Sequence, residues 1–142
     1  MRFWDSSAVV PLLVAEAEST VVLRLYEADP AMVAWWATEI ECVSAIARRH
    51  RLGQLPDEVL ADALGRLAVL SVAWHEVEPG DEVRESAKRF LRVHDLRAAD
   101  ALQLAAAFFL AEARPSTVEF VSLDDRLVAA ARREGFVTVT IA

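Results

Sequence analysis

Cysteine is nearly absent: the 142-residue chain has one, Cys42. No internal disulfide can form, which is compatible with a reducing compartment. None is required either, because a chain of this length buries roughly 70% of its unfolded surface. The length fits one domain over residues 1–142. Glycine and proline are scarce, with four and five copies, and they punctuate the chain rather than form linkers. There is no internal repeat and no low-complexity tract. Long apolar runs are missing as well. The most apolar stretch, Ala101 to Ala111, contains Gln103 and is too short to span a bilayer. The N-terminus lacks a basic leader followed by a long apolar segment, so the chain is expected in the cytoplasm. Zinc-type spacing is absent too: Cys42, His50, His75 and His94 stand apart from one another. Finally, there is no excess of positive charge. A net charge of −7 excludes a grip on nucleic acid by bulk charge alone. It does not exclude phosphodiester chemistry, because bound divalent cations reverse the local sign.

What is present is hydrophobic: 55% of residues, against a globular norm of roughly 45–50%. That surplus implies a large core, a buried partner surface, or both. Arg2 to Asp5 reads as a short first strand and Ser6 to Val14 as a helix, followed by a helix over Ser19 to Ala28. Met32 to Trp36 is strand-like. A third helix is predicted from Thr38 to Leu52, with Gly53 where a C-terminal cap belongs. Pro56 and Asp57 open a fourth, with Val59, Leu60, Ala63, Leu64, Leu67 and Leu70 on one face. A fifth follows Pro79-Gly80, with an inner stripe of Val83, Ala87, Phe90, Leu91 and His94. Its outer stripe is Arg84, Lys88 and Arg92, and Glu85 and Arg89 have the spacing of an ion pair. The sixth helix starts near Arg97, with Asp95 as its expected cap, and is apolar nearly all round, as a central buried helix is. A strand over Val118 to Ser122, a helix over Asp125 to Arg133 and a strand over Val137 to Ile141 complete the chain. Strands alternating with helices predict an α/β fold: a short parallel sheet with helices on both faces.

In such a sheet, ligands bind at the carboxyl ends of the strands. Asp5 and Asp124 fall at such ends. Both also precede helices, so each has a second reading as an N-cap. The two roles are compatible, since a capping carboxylate keeps a free oxygen. Asp100 lies inside the sixth helix, ahead of its apolar run. A partly buried carboxylate is costly unless a cation stands beside it, and that cation is a metal ion or an arginine such as Arg97. Glu39 and Glu41 point to nearly opposite sides of their helix, and the apolar pattern does not choose between them. If Asp5, Asp100, Asp124 and one glutamate converge, cations or raised pKa values must accompany them. All-oxygen donors suit Mg²⁺ or Mn²⁺, which can activate water and stabilise an in-line phosphoryl displacement.

The order of these blocks resembles a family. A strand runs into Asp5-Ser6-Ser7. Glu41 is followed by Cys-Val-Ser-Ala-Ile. Then come Ala99-Asp100-Ala101-Leu102-Gln103-Leu104-Ala105 and Val121-Ser122-Leu123-Asp124-Asp125. Together they look like a PIN domain of the VapC type, over nearly the whole chain. The block Ala99 to Ala105 is the most specific piece. The resemblance implies a PIN-like three-layer α/β/α sandwich and a Mg²⁺- or Mn²⁺-dependent endoribonuclease, the toxin of a toxin–antitoxin module. It implies Asp5, Glu41, Asp100 and Asp124 as metal-holding catalytic residues, and selects Glu41 over Glu39. It places orienting hydroxyls at Ser6 and Ser122. It further implies an RNA substrate, a VapB-type antitoxin partner, a homodimer, and products with 5′-phosphate and 3′-hydroxyl ends.

Arg48, seven residues after Glu41 on the same helix face, is a candidate contact for RNA or antitoxin, or else a solvated helix end. Gln103 departs from the family, where histidine is common, and Asp125 adds a fifth acid beside Asp124. Trp35, Trp36 and Trp74 fit either the core or a partner surface; as strand neighbours, Trp35 and Trp36 face opposite sides. Two rival readings remain: a catalytically silent PIN-like binding module, and a haloacid dehalogenase-type phosphatase. The latter calls for a second Asp two residues after Asp5, where Ser7 stands.

Overall fold

Side-chain alternation along the strands sorts the chain into layers. A computed structural model describes residues 1–139 and 141. Its elements are β1 (Arg2–Trp4), α1 (Ser6–Leu13), α2 (Ser19–Ala28), β2 (Met32–Trp35), α3 (Thr38–Arg51), α4 (Asp57–Ala73), β3 (His75–Val77), α5 (Asp81–Val93), α6 (Ala98–Leu110), β4 (Glu119–Val121), α7 (Asp125–Arg133) and β5 (Val137–Thr138). The five strands are all parallel, in the order β3-β2-β1-β4-β5. On one face Phe3, Val33, Trp35, Val77 and Phe120 pack with α5, α6 and α7. On the other Trp4, Met32, Ala34 and Val121 pack with helices α1 to α4. Successive residues of β1 and β2 thus serve opposite cores, as a period of two requires. This is the predicted three-layer α/β/α sandwich.

The order of strands positions the site. The chain moves to one side of β1 through β2 and β3 and to the other through β4 and β5, so the sheet reverses direction between β1 and β4. A crevice opens at that point, beyond the carboxyl ends of the strands. Asp5 directly follows β1, and Asp124 lies three residues beyond the end of β4, just before α7. Helix α6 crosses behind them, with Ala101, Leu104, Ala105, Ala106 and Ala107 fully buried. Its small residues let α5 pack closely along it.

Several expectations are corrected. Strand β3 was not expected: His-Glu-Val is too short and polar to show alternation, and it pairs only as the edge partner of β2. Val59 and Leu91 are exposed rather than part of inner stripes. Arg89 pairs with Glu134 at 3.2 Å, not with Glu85, which takes Lys88 at 2.9 Å. Asp95 does not cap α6; the N-cap is Arg97, whose side chain makes no capping bond. Gly53 closes α3 at φ 75°, a left-handed conformation that costs a glycine little. The last strand ends at Thr138, and Thr140 of the expected stretch lies outside the described residues. Of the tryptophans in question, Trp35 and Trp74 are core, whereas Trp36 is 45% exposed. Among the described residues no helix is long and apolar enough to cross a membrane.

Candidate active site

Asp5 sits where β1 hands over to α1. Its backbone N–H still donates to the Val121 carbonyl at 2.9 Å, which fixes its Cα against β4. It occupies the N-cap position of α1, yet its side chain makes no capping bond. The buried carboxylate instead accepts hydrogen bonds from the hydroxyls of Ser7 and, at 2.8 Å, Ser122. The cap reading is therefore not borne out as a hydrogen bond for Asp5, although the Ser7 backbone N–H also favours its charged form. It holds for Asp124, whose Oδ1 accepts the Leu127 N–H at 3.0 Å. The Asp124 N–H in turn donates to Ser122 Oγ at 3.0 Å, so one hydroxyl ties the two strand ends together.

Glu41 enters from the first turn of α3. The Ser6 hydroxyl lies 3.2 Å from its Oε1 and 3.4 Å from Asp5 Oδ1, spanning the two acids. On the other side Gln103 Nε2 donates to Glu41 Oε2 at 3.1 Å and to the Thr38 hydroxyl at 3.0 Å. Glu39 is exposed. Asp100 stands in the first turn of α6, half-buried, and Arg97 forms no ion pair with it at salt-bridge distance. Asp100 and Asp124 line an open cleft of about 550 Å³ together with Arg97, Ala99, Asp125 and Arg126. A larger cleft, about 1150 Å³, lies by β3 and the far end of α6. It is remote from these acids, and size alone does not make it the site.

The carboxylates act on one another. Burial pushes the Asp5 carboxyl up, the Ser7 and Ser122 hydroxyls oppose this, and the charge of Asp124 adds to it. Glu41 is pushed up to about 7, first by burial and then by Asp5, with a smaller contribution from Asp100. Asp100 is raised by burial and by Asp124 and Asp5, against the pull of Arg97. Asp5, Glu41, Asp100 and Asp124 thus form one electrostatic group. Among the described residues no three His, Cys, Asp or Glu side chains already stand at metal-ligating spacing; the acids surround the crevice as separate groups, as mutually repelling charges do. The buried Cys42 thiol is pushed up to about 12 by burial and by the charges of Glu41, Asp5 and Glu39, so it is no nucleophile.

Sequence reasoning missed three members of this network. Ser7 bonds the Asp5 carboxylate, Gln103 bonds that of Glu41, and Thr38 accepts from Gln103; only Gln103 left a signal, a lone amide in an apolar helix, one turn after Asp100. Arg48 is exposed and two helical turns, about 10 Å, along α3 from Glu41; the fold does not bring it into the group.

No protein-family model matches the chain. It is 33% identical to Ribonuclease VapC45 of Mycobacterium tuberculosis (strain CDC 1551 / Oshkosh) over 105 residues, which is 74% of this chain and 73% of that protein. Its fold is similar to the crystal structure of Mycobacterium tuberculosis VapC20, a Sarcin-Ricin loop cleaving toxin, with a TM-score of 0.71, 21% identity and 98% of both chains covered. It is also similar to a toxin–antitoxin complex from Klebsiella pneumoniae, with a TM-score of 0.68, 15% identity and coverage of 100% of this chain and 98% of that one. On that identity, over nearly three quarters of both lengths, the chain belongs to the VapC ribonuclease family, and its three-layer sandwich is a PIN domain.

Proposed function

We propose that this protein is a divalent-metal-dependent endoribonuclease, the toxin of a toxin–antitoxin pair, acting in the cytoplasm as a homodimer restrained by a VapB-type antitoxin. The observation that carries the reading is the gathering of Asp5, Glu41, Asp100 and Asp124 at the crevice between β1 and β4, with three of them pushed toward protonation by burial and mutual repulsion. Such a group suits a cation, and its donors are all hard oxygens, which fits Mg²⁺ or Mn²⁺ and not zinc. Asp5 and Asp100 would hold the ion, with Glu41 and Asp124 completing its shell or a second one. Bound there, it supplies Lewis acidity toward water and toward the phosphoryl oxygens.

The chain's own residues do the rest. Ser7 and Ser122 hold the Asp5 carboxylate in one orientation. Ser6 and Gln103 hold Glu41 from two sides. Water attacks phosphorus in line, the P–O3′ bond breaks, the leaving 3′-oxygen takes up a proton from solvent, and a 5′-phosphate remains. A carboxylate of the group takes the proton of the attacking water.

The test is cleavage of total RNA by the purified, partner-free protein with Mn²⁺, with EDTA, and with Asp100→Asn shown to be folded. Discrete cleavage that disappears with EDTA and in the variant is expected. Undiminished cleavage by the variant would place the activity elsewhere. No cleavage of any RNA, and no stabilisation by Mn²⁺, would shift the reading to a silent binding module.

A further inference from the structure

A polyanion must reach an acidic group on an acidic protein. With a net charge of −7, the molecule as a whole repels RNA, so local cations have to provide the attraction. The cleft that exposes Asp100 and Asp124 has two: Arg97 and Arg126. They come from different elements. Arg97 is the residue before α6, three positions ahead of Asp100. Arg126 is in the first turn of α7, two positions after Asp124. Ala99, between them on the wall, has no bulk to fill the space.

Neither arginine is committed elsewhere. Arg126 reaches Asp95 at 3.6 Å, with side chains 69% and 91% exposed; such a pair contributes about 0–1 kcal/mol and gives way easily to a phosphate. Arg97 forms no ion pair among the described residues, and its charge is felt at Asp100. Other basic groups are engaged or remote. Arg49 is tied to Glu16 and Arg89 to Glu134, and Arg84 and Lys88 pair along the outer face of α5.

We propose that Arg97 and Arg126 form a two-sided clamp on the RNA backbone, binding phosphates that flank the bond presented to Asp100 and Asp124. The clamp rests on the ribonuclease reading above and names how that site takes its substrate. Planar guanidinium forks on both walls can each take a phosphate through two hydrogen bonds. They read backbone and not base, so they set register on the strand without choosing a sequence.

The experiment has two readouts. Binding of a short fluorescein-labelled single-stranded RNA is measured in EDTA across a salt series, and cleavage of the same RNA is measured with Mn²⁺. Arg97→Gln and Arg126→Gln should each weaken binding and make the plot of log affinity against log salt shallower by about 0.7. The double variant should lose about twice that. KM should rise roughly tenfold per arginine, with kcat changed far less. Arg97→Lys and Arg126→Lys keep the charge and should keep the salt slope, and Arg84→Gln should change nothing. Variants with wild-type slope and KM, beside a wild type that cuts RNA, would overturn the clamp and leave the nuclease standing. So would a loss confined to kcat. A wild type that neither binds nor cuts RNA would overturn both.

Discussion

Gln103 Nε2 donates to Glu41 Oε2 at 3.1 Å from a side chain with no solvent exposure. This one amide couples α6, which carries Asp100, to α3, which carries Glu41. An amide does not titrate, so any pH dependence of the coupling comes from Glu41, which is pushed up to about 7. Gln103→Leu keeps the volume and removes the donor. It should lower activity or Mn²⁺ affinity by roughly 10–100-fold while RNA binding in EDTA stays near wild type. Equal losses in binding and turnover would mean that the helix has shifted, and that Gln103 is only a packing residue.

The second prediction concerns pH. Glu41 rises from an ordinary 4.5 to about 7 in the folded chain. Between those values the native state holds more protons than the unfolded state, so the stability of the metal-free protein must fall as pH rises. The stability is fully present below about 4.5 and lost on passing 7, and Asp5 and Asp100 are shifted in the same direction. Screening at the half-exposed Glu41 reduces its share to on the order of 1–2 kcal/mol. Thermal melts in EDTA from pH 5 to pH 8 should show a falling Tm that flattens in Glu41→Gln. Mn²⁺ should stabilise the wild type more at pH 8 than at pH 5. A rising Tm over that range would contradict the assigned direction.

Ser122 offers a third. Its hydroxyl donates to Asp5 Oδ2 and accepts the Asp124 N–H. Removing it leaves a buried carboxylate short of a donor and a backbone N–H short of an acceptor. Ser122→Ala should cost about 1–3 kcal/mol of stability, read in urea melts, and should reduce cleavage. In an Asp5→Asn background the same change should cost less, because the carboxylate that needed the donor is gone. Costs that simply add in the double variant would deny the coupling.

Much of this arrangement was legible because it depends on local chemistry. The alternation Phe3-Trp4 and Met32-Val33-Ala34-Trp35 declares a strand buried on both faces, and an aspartate after each of two such strands lands at the crevice whatever the helices do. What escaped depends on tertiary partners. Strand β3 is three residues at an edge, and its identity comes from pairing with β2 rather than from its own pattern. Asp95 is a good capping residue by type, but the chain turns two residues later. Arg89 has a glutamate four residues back in its own helix and prefers Glu134 on another, a choice no spacing rule contains.

That choice leads to the last prediction. Glu134, at the end of α7, accepts from Arg89 at 3.2 Å and contacts His94 Nε2 at 2.7 Å. The Arg89 guanidinium also lies over Phe90, 4.6 Å from the ring centroid, and 5.5 Å from that of Phe108. One side chain therefore joins α5, α6 and α7 at a place well away from the acids. An ion pair that is partly exposed and a cation held on aromatic faces together contribute about 1–2 kcal/mol. Arg89→Ala should lower Tm by roughly 3–8 °C. KM and kcat should be unchanged at temperatures where the variant is folded, because the clip fixes how helices dock and not how carboxylates are aimed. Arg89→Lys should recover only part of the loss, since an ammonium cannot cover a ring as a planar guanidinium does. Loss of activity in a fully folded Arg89→Ala would show instead that the docking of α7 sets the position of Asp124 at its opposite end.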